Sequence, residues 1–241
     1  MDFTVRVTHD RIRNMRAVLF DMDGTLVDSE KLWDISLTAL YERHGGIMTP
    51  EVRASLVGGS AEDTIQTVYT DLGLALDPDA MAESIRWLHD YTGELFDGGL
   101  PWCDGAHELL EALAAERIPM ALVTNTQRQL TERALNSIGK HYFSVSVCGD
   151  EVPRGKPAPD AYRRAATLLG LEPSACLAVE DSVTGTAAAE SAGCPVLVVP
   201  NDVEVPAGGR RAHVSSLAGV GAGDLREVYD RLNRGIGERS A

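Results

Sequence analysis

Two aspartates stand two positions apart in FDMDGT, directly after the apolar run Ala17–Phe20. Asp21 and Asp23 place like charges at the end of a segment that reads as buried, which is costly unless a cation lies close by. Polar residues recur at comparable places further on: Thr124-Asn125 after Met120–Val123, Gly149-Asp150 after Phe143–Val147, and Glu180-Asp181 after Ala175–Val179. Lys156, in RGKPAPD, adds a positive charge just ahead of a helix-like segment, in a chain with three lysines against 19 arginines.

These residue types suit phosphoryl chemistry. Asp21 and Asp181, with Glu180 nearby and a backbone carbonyl near Asp23, form a hard oxygen donor set that fits Mg²⁺ and a substrate phosphate oxygen. No matching His or Cys set accompanies them, which disfavours zinc. The Thr124 hydroxyl, the Asn125 amide at an expected helix start and the compact charge of Lys156 would hold a phosphate. Asp21 could attack phosphorus and form an aspartyl-phosphate. Asp23 would protonate the leaving oxygen, then deprotonate the attacking water. A single acidic pair could equally be a helix cap; its repetition at neighbouring strand ends favours a site.

Such residues converge only if the strands lie side by side and end at one edge. Ala17–Phe20, Met120–Val123, Phe143–Val147, Ala175–Val179 and Pro195–Val199 lack clear alternation, as expected of strands buried on both faces of a parallel sheet. Helix-like stretches over 105–118, 126–139 and 159–171 separate them, with Gly139 and Gly170 as stops. In the last, Tyr162, Ala165, Ala166 and Leu169 fall at helical spacing. Strand and helix in alternation predict a doubly wound α/β sheet, whose ligands bind beyond the carboxyl ends of the strands. The 99 residues between Phe20 and Met120 exceed one crossover. Residues 32–101 read as wholly helical, an insertion after the first strand with crossings near 29–32 and 100–104. A final helix is expected over Asp224–Asn233.

The net charge of −14 disfavours nucleic acid and acidic lipid as partners. No apolar stretch approaches a membrane span, and the N-terminus lacks the apolar core of a secretory signal. The four cysteines are scattered, so neither a zinc site nor a disulfide framework is expected, and a cytoplasmic location fits. Cys176 reads as a buried structural thiol.

DMDGT (21–25), LVTNT (122–126), Lys156 in GKPAPDAY and AVEDSVTG (178–185) resemble, in order, the four motifs of the haloacid dehalogenase superfamily. The resemblance covers about residues 16–217. Residues 32–101 resemble that superfamily's small helical cap. DSEKLW (28–33) and GKPAPDAYRRAATLLG resemble its β-phosphoglucomutase-like and sugar-phosphate phosphatase branch. The resemblance implies a Rossmann-like core of residues 15–31 and 102–241, a cap of 32–101 and an extension of 1–14. It implies Asp21 as nucleophile and Asp23 as general acid and base. Thr124, Asn125 and Lys156 would hold the phosphate. Asp21, the Asp23 carbonyl and Asp181 would bind magnesium, with Glu180 in or beside the shell. Asp28 is expected to cap the first cap helix.

Several chemistries share this scaffold. A haloacid dehalogenase lacks the second motif aspartate, and Asp23 is present; a phosphonatase needs a cap lysine, and none occurs between 32 and 139. A phosphomutase needs a cap cation for a second phosphate. Resembling mutases carry an arginine after a Gly-x-Ser, where this chain reads Gly58-Gly59-Ser60-Ala61-Glu62. Residues 32–101 hold 12 acids against Arg43, Arg53 and Arg86. The expectation is therefore a magnesium-dependent phosphatase of a small phosphorylated metabolite; the branch resemblance implies a sugar or polyol phosphate, and a monomer is expected. A phosphomutase is the alternative, and a non-catalytic phosphate-binding module the second. Candidate substrate contacts are Gly59–Asp63, Arg43 and His44, with Trp33 on an amphipathic helix read as core in preference to a substrate platform.

Overall fold

Four consecutive buried residues, Ala17–Phe20, form β1. Val18 and Phe20 face one side of the sheet, Ala17 and Leu19 the other, the period-two alternation of a strand. The structure, a computed structural model, describes residues 14–56, 60–200 and 204–237. The expected extension of residues 1–14 falls outside these except for its last residue.

After β1 come four helices: α1 (Glu30–Arg43), α2 (Pro50–Ser55), α3 (Ala61–Asp71) and α4 (Pro78–Asp97). The chain continues through α5 (Ala106–Ala115), β2 (Met120–Val123), α6 (Arg128–Ile138), β3 (Val145–Val147) and α7 (Asp160–Leu168). It ends with β4 (Cys176–Glu180), α8 (Val183–Ala192), β5 (Val196–Val198), β6 (Arg211–His213) and α9 (Ala222–Gly237). All six strands are parallel, in the order β3-β2-β1-β4-β5-β6. Apolar side chains of α5, α6 and α9 cover one face and those of α7 and α8 the other. This is the expected doubly wound α/β sheet. Both faces are buried, which explains why its strands read as continuous apolar runs.

β6 is the strand that patterning did not reveal. Only Ala212 of its three residues is buried, yet the edge of β5 receives it, pairing Leu197 with Ala212. Conversely, Lys140–Tyr142 forms a 3-10 turn, so β3 starts two residues later than the apolar run suggests.

Helices α1, α3 and α4 share a small core of their own. Leu40, Tyr41, Ile65 and Val68 are fully buried there, each large side chain contributing roughly 1.5–3 kcal/mol. Local signals start these helices: Thr49 and Asp77 cap α2 and α4 ahead of Pro50 and Pro78, and Ser60 accepts from the Asp63 N–H. The two connections to the sheet run together. The Asp28 N–H donates to the Pro101 carbonyl (2.9 Å) and the Cys103 N–H to that of Leu26 (3.0 Å). Asp28 does not cap α1. That position is Ser29, and the Asp28 carboxylate instead pairs with Lys31 at 2.6 Å. No helix among the described residues is long and apolar enough to cross a membrane.

Candidate active site

β1 lies between β2 and β4, with Phe20 in register with Leu122 and Val179. The residues that follow these strands therefore meet at one edge. The Asp21 N–H extends the ladder, donating to the Val179 carbonyl at 3.0 Å. Its side chain then meets Lys156, which arrives from the loop before α7: Lys156 Nζ lies 2.5 Å from Asp21 Oδ1 and 2.7 Å from Glu180 Oε1. Tyr162 on α7 donates to the same Glu180 oxygen at 2.6 Å, and Ser182 reaches Oε2 at 3.3 Å. Glu180 is fully buried. Gly185 leaves it room, because a Cβ there would fall 1.9 Å from Glu180 Oε1.

Asp23 is held differently. Its Oδ1 accepts from Ser29 at 2.6 Å, and its Oδ2 from Thr126 at 2.8 Å and Thr124 at 3.2 Å. These three hydroxyls hold the Asp23 carboxylate, whereas Lys156 holds those of Asp21 and Glu180. Thr124 is tied down in turn by the Thr126 N–H at 3.0 Å. Asn125 braces Lys156: its Oδ1 accepts from the Lys156 N–H at 2.8 Å and its Nδ2 donates to the Lys156 carbonyl at 3.1 Å. The expected helix start at Asn125 is corrected, since α6 begins at Arg128.

Charge is unbalanced here. Oxygens of Asp21, Glu180 and Asp181 all lie within 4.8 Å of one another, and all three residues are buried. Burial, with Glu180 and Asp23 adding and Lys156 opposing, raises Asp21 to about 7. Burial, then Asp21 and Glu180, raises Asp181 to about 9. Burial pulls Lys156 down, but Asp21 and Glu180 outweigh it and hold the ammonium above its ordinary range. Three carboxylates against one ammonium, all oxygen donors, fit a hard divalent cation such as Mg²⁺. Glu180 is engaged by Lys156, Tyr162 and Ser182, and Asp21 by Lys156 and Thr25, so Asp181 has the fewest side-chain partners of the three among the described residues.

Beyond these groups opens a cavity of about 790 Å³, bounded by the strand ends and by the helices of residues 30–97. Asp21, Asp23, Thr124, Asn125, Lys156 and Asp181 all line it. On the helical side, the candidates Ser60–Asp63 line it, and Trp33, read as core, both lines it and packs edge-on against Phe96. Arg43 and His44 do not. Arg43 lies over Trp87 and pairs with Glu83, while His44 bonds Ser84 and packs on Tyr69. Gly58 and Gly59 lie outside the described residues. Patterning missed Ser29, Thr126, Arg53 and His89. Tyr162 registered only as a buried helix position, with nothing in its spacing to indicate Glu180.

A sequence model described as haloacid dehalogenase-like hydrolase matches residues 18–199. The chain belongs to this family. Within it, this haloacid dehalogenase-like hydrolase is 34% identical over 195 residues to hexitol phosphatase A of Escherichia coli, covering 79% of this chain and 86% of the relative. It is 32% identical over 180 residues to the phosphorylated carbohydrates phosphatase of Thermotoga maritima, covering 74% and 82%. Among solved structures, it resembles CbbY from Rhodobacter sphaeroides in complex with phosphate. The two are 28% identical, with a TM-score of 0.78, over 88% of this chain and 99% of that one.

Proposed function

We propose that this hydrolase is a magnesium-dependent phosphatase that hydrolyses a small phosphate monoester of a sugar or polyol through an aspartyl-phosphate on Asp21. The observation that carries this reading is Asp21 in the cavity lining, 2.5 Å from Lys156 and within the acidic cluster, with Asp23 held separately by three hydroxyls. The names of the phosphatase relatives support the substrate class.

In the first step an Asp21 oxygen bonds to phosphorus as the bond to the alcohol oxygen breaks, and Asp23 delivers a proton to that oxygen. In the second, water attacks phosphorus, Asp23 takes its proton, and the bond to Asp21 breaks to release inorganic phosphate. Lys156 faces the negative charge on the transferring group, and Asn125 fixes the Lys156 backbone. A magnesium ion held by Asp21 and Asp181, with the Asp23 carbonyl and Glu180 alongside, would neutralise phosphoryl charge. Residues 32–101 would act as a cap that excludes water from the cavity.

One observation favours a phosphomutase as the second reading. Arg53 lines the cavity, where it could meet a second phosphate. Its guanidinium is, however, already paired with Asp34 and with Glu30, which leaves that wall without net positive charge.

The test is phosphate release from a panel of monoesters, with Mg²⁺ or with EDTA, by the wild type and Asp21→Asn. β-Glucose 1-phosphate with catalytic 1,6-bisphosphate is assayed for glucose 6-phosphate as well. Magnesium-dependent release lost in the variant is the expected result. Glucose 6-phosphate without matching phosphate release would establish the mutase instead.

A further inference from the structure

One polar side chain in the cavity wall has no part in the chemistry above. His89 sits on α4, only 7% exposed, and lines the cavity. Its imidazole makes no hydrogen bond to any described residue. The other buried polar side chains of α4 are satisfied. Ser84 bonds Tyr69 at 2.8 Å and His44 at 3.1 Å, and the Thr92 hydroxyl lies within hydrogen-bond distance of the Leu88 carbonyl (2.7 Å) and of the Ser36 hydroxyl (2.9 Å). Buried polar groups are normally paired, so an isolated one facing a cavity awaits a partner from it.

The surroundings narrow that partner. Burial moves His89 below the ordinary histidine range, opposed by Glu62 on α3, Asp90 on its own helix and Asp150 from the sheet side. A neutral imidazole offers one N–H donor and one nitrogen acceptor, which matches a hydroxyl group. The nearby wall repels a second anion: Glu30, Glu62 and Asp63 line it, and Arg53 is already paired. The position is also fixed. One turn on, Gly93 lies so close to Arg133 of α6 that a Cβ would meet its guanidinium at 2.8 Å.

We infer that His89 is a specificity-determining residue, hydrogen-bonding a hydroxyl on the carbon chain of the phosphate ester and favouring polyol and sugar phosphates over esters without that hydroxyl. The assignment rests on the phosphatase reading.

The test compares kcat/KM for glucitol 6-phosphate and for 4-nitrophenyl phosphate, in the wild type, His89→Leu and His89→Gln. His89→Leu should lower the glucitol 6-phosphate value about tenfold and leave the aryl ester within about twofold, with His89→Gln recovering part of the loss. Equal losses on both esters, or none on glucitol 6-phosphate, overturn the assignment. A binding measurement separates the two readings: in an Asp21→Asn background, His89→Leu should weaken glucitol 6-phosphate binding about tenfold. If that weakening is seen while the wild type releases no phosphate from either ester, the phosphatase reading falls while the contact of His89 with a ligand hydroxyl stands. Glucitol 6-phosphate that does not bind, or binds independently of residue 89, overturns the role of His89.

Discussion

Lys156 Nζ lies 2.5 Å from Asp21 Oδ1 although 135 positions separate them along the chain. The same ammonium touches Glu180, so one cation holds together the ends of β1 and β4. Removing it leaves two buried carboxylates facing each other. Lys156→Ala should lower kcat/KM by about 10²–10³, and should cost about 3 kcal/mol of stability in EDTA. Steady-state kinetics and urea melts check both. Wild-type kinetics would show that the ammonium does not serve the reaction.

Asp23 tests the division of labour between the two aspartates. Asp23→Asn should keep the fold and slow hydrolysis of alkyl phosphates by about 10²–10⁴. Esters with good leaving groups, such as 4-nitrophenyl phosphate, should suffer less, because their oxygen needs little protonation. A uniform loss across leaving groups would count against the acid role. Ser29→Ala removes the 2.6 Å bond to Asp23 and should cost roughly tenfold, as expected of a residue that only orients the carboxylate.

Acidity in the cluster predicts how metal binding depends on pH. The folded values of Asp21 (about 7) and Asp181 (about 9) lie above the ordinary 3.8. Each therefore contributes stability that is fully present below about pH 4 and is lost as pH rises through its folded value. Mg²⁺ replaces those protons. The rise in Tm from EDTA to Mg²⁺ should accordingly grow between pH 5 and pH 9, and Asp181→Asn should flatten that growth. A shift independent of pH in the wild type would remove the cluster as the magnesium site.

Gly185 touches no substrate in this scheme, yet its replacement should inactivate the protein. The Cβ of Gly185→Ala would fall 1.9 Å from Glu180 Oε1, so the carboxylate must shift, and with it Lys156. Overpacking of this kind costs about 1–3 kcal/mol. The expected result is a folded protein by circular dichroism with sharply reduced kcat and a lowered Tm. Unchanged kcat would mean that the position of Glu180 does not govern that of Lys156.

Much of this molecule was legible along the chain. β1, β2, β4 and β5 are apolar because both faces of a parallel sheet are covered, and the polar residues just beyond Phe20, Val123 and Val179 marked one edge. Where burial is one-sided the pattern weakens: β6, with Ala212 as its single buried residue, carried no signal and exists because β5 offers an unpaired edge.

The types of the polar groups that line the cavity, their strand-end positions and the helical insertion were thus set by local composition and periodicity, which any buried strand or amphipathic helix must display. The tertiary structure alone decided which groups touch. It gave Asn125 to the Lys156 backbone, set three hydroxyls on Asp23, and turned Arg43 and His44 away while bringing Arg53 and His89 into the cavity wall. Such pairings depend on rotamers and on the packing of α4 against α6, contacts between residues tens of positions apart, and no periodicity within a single segment encodes them.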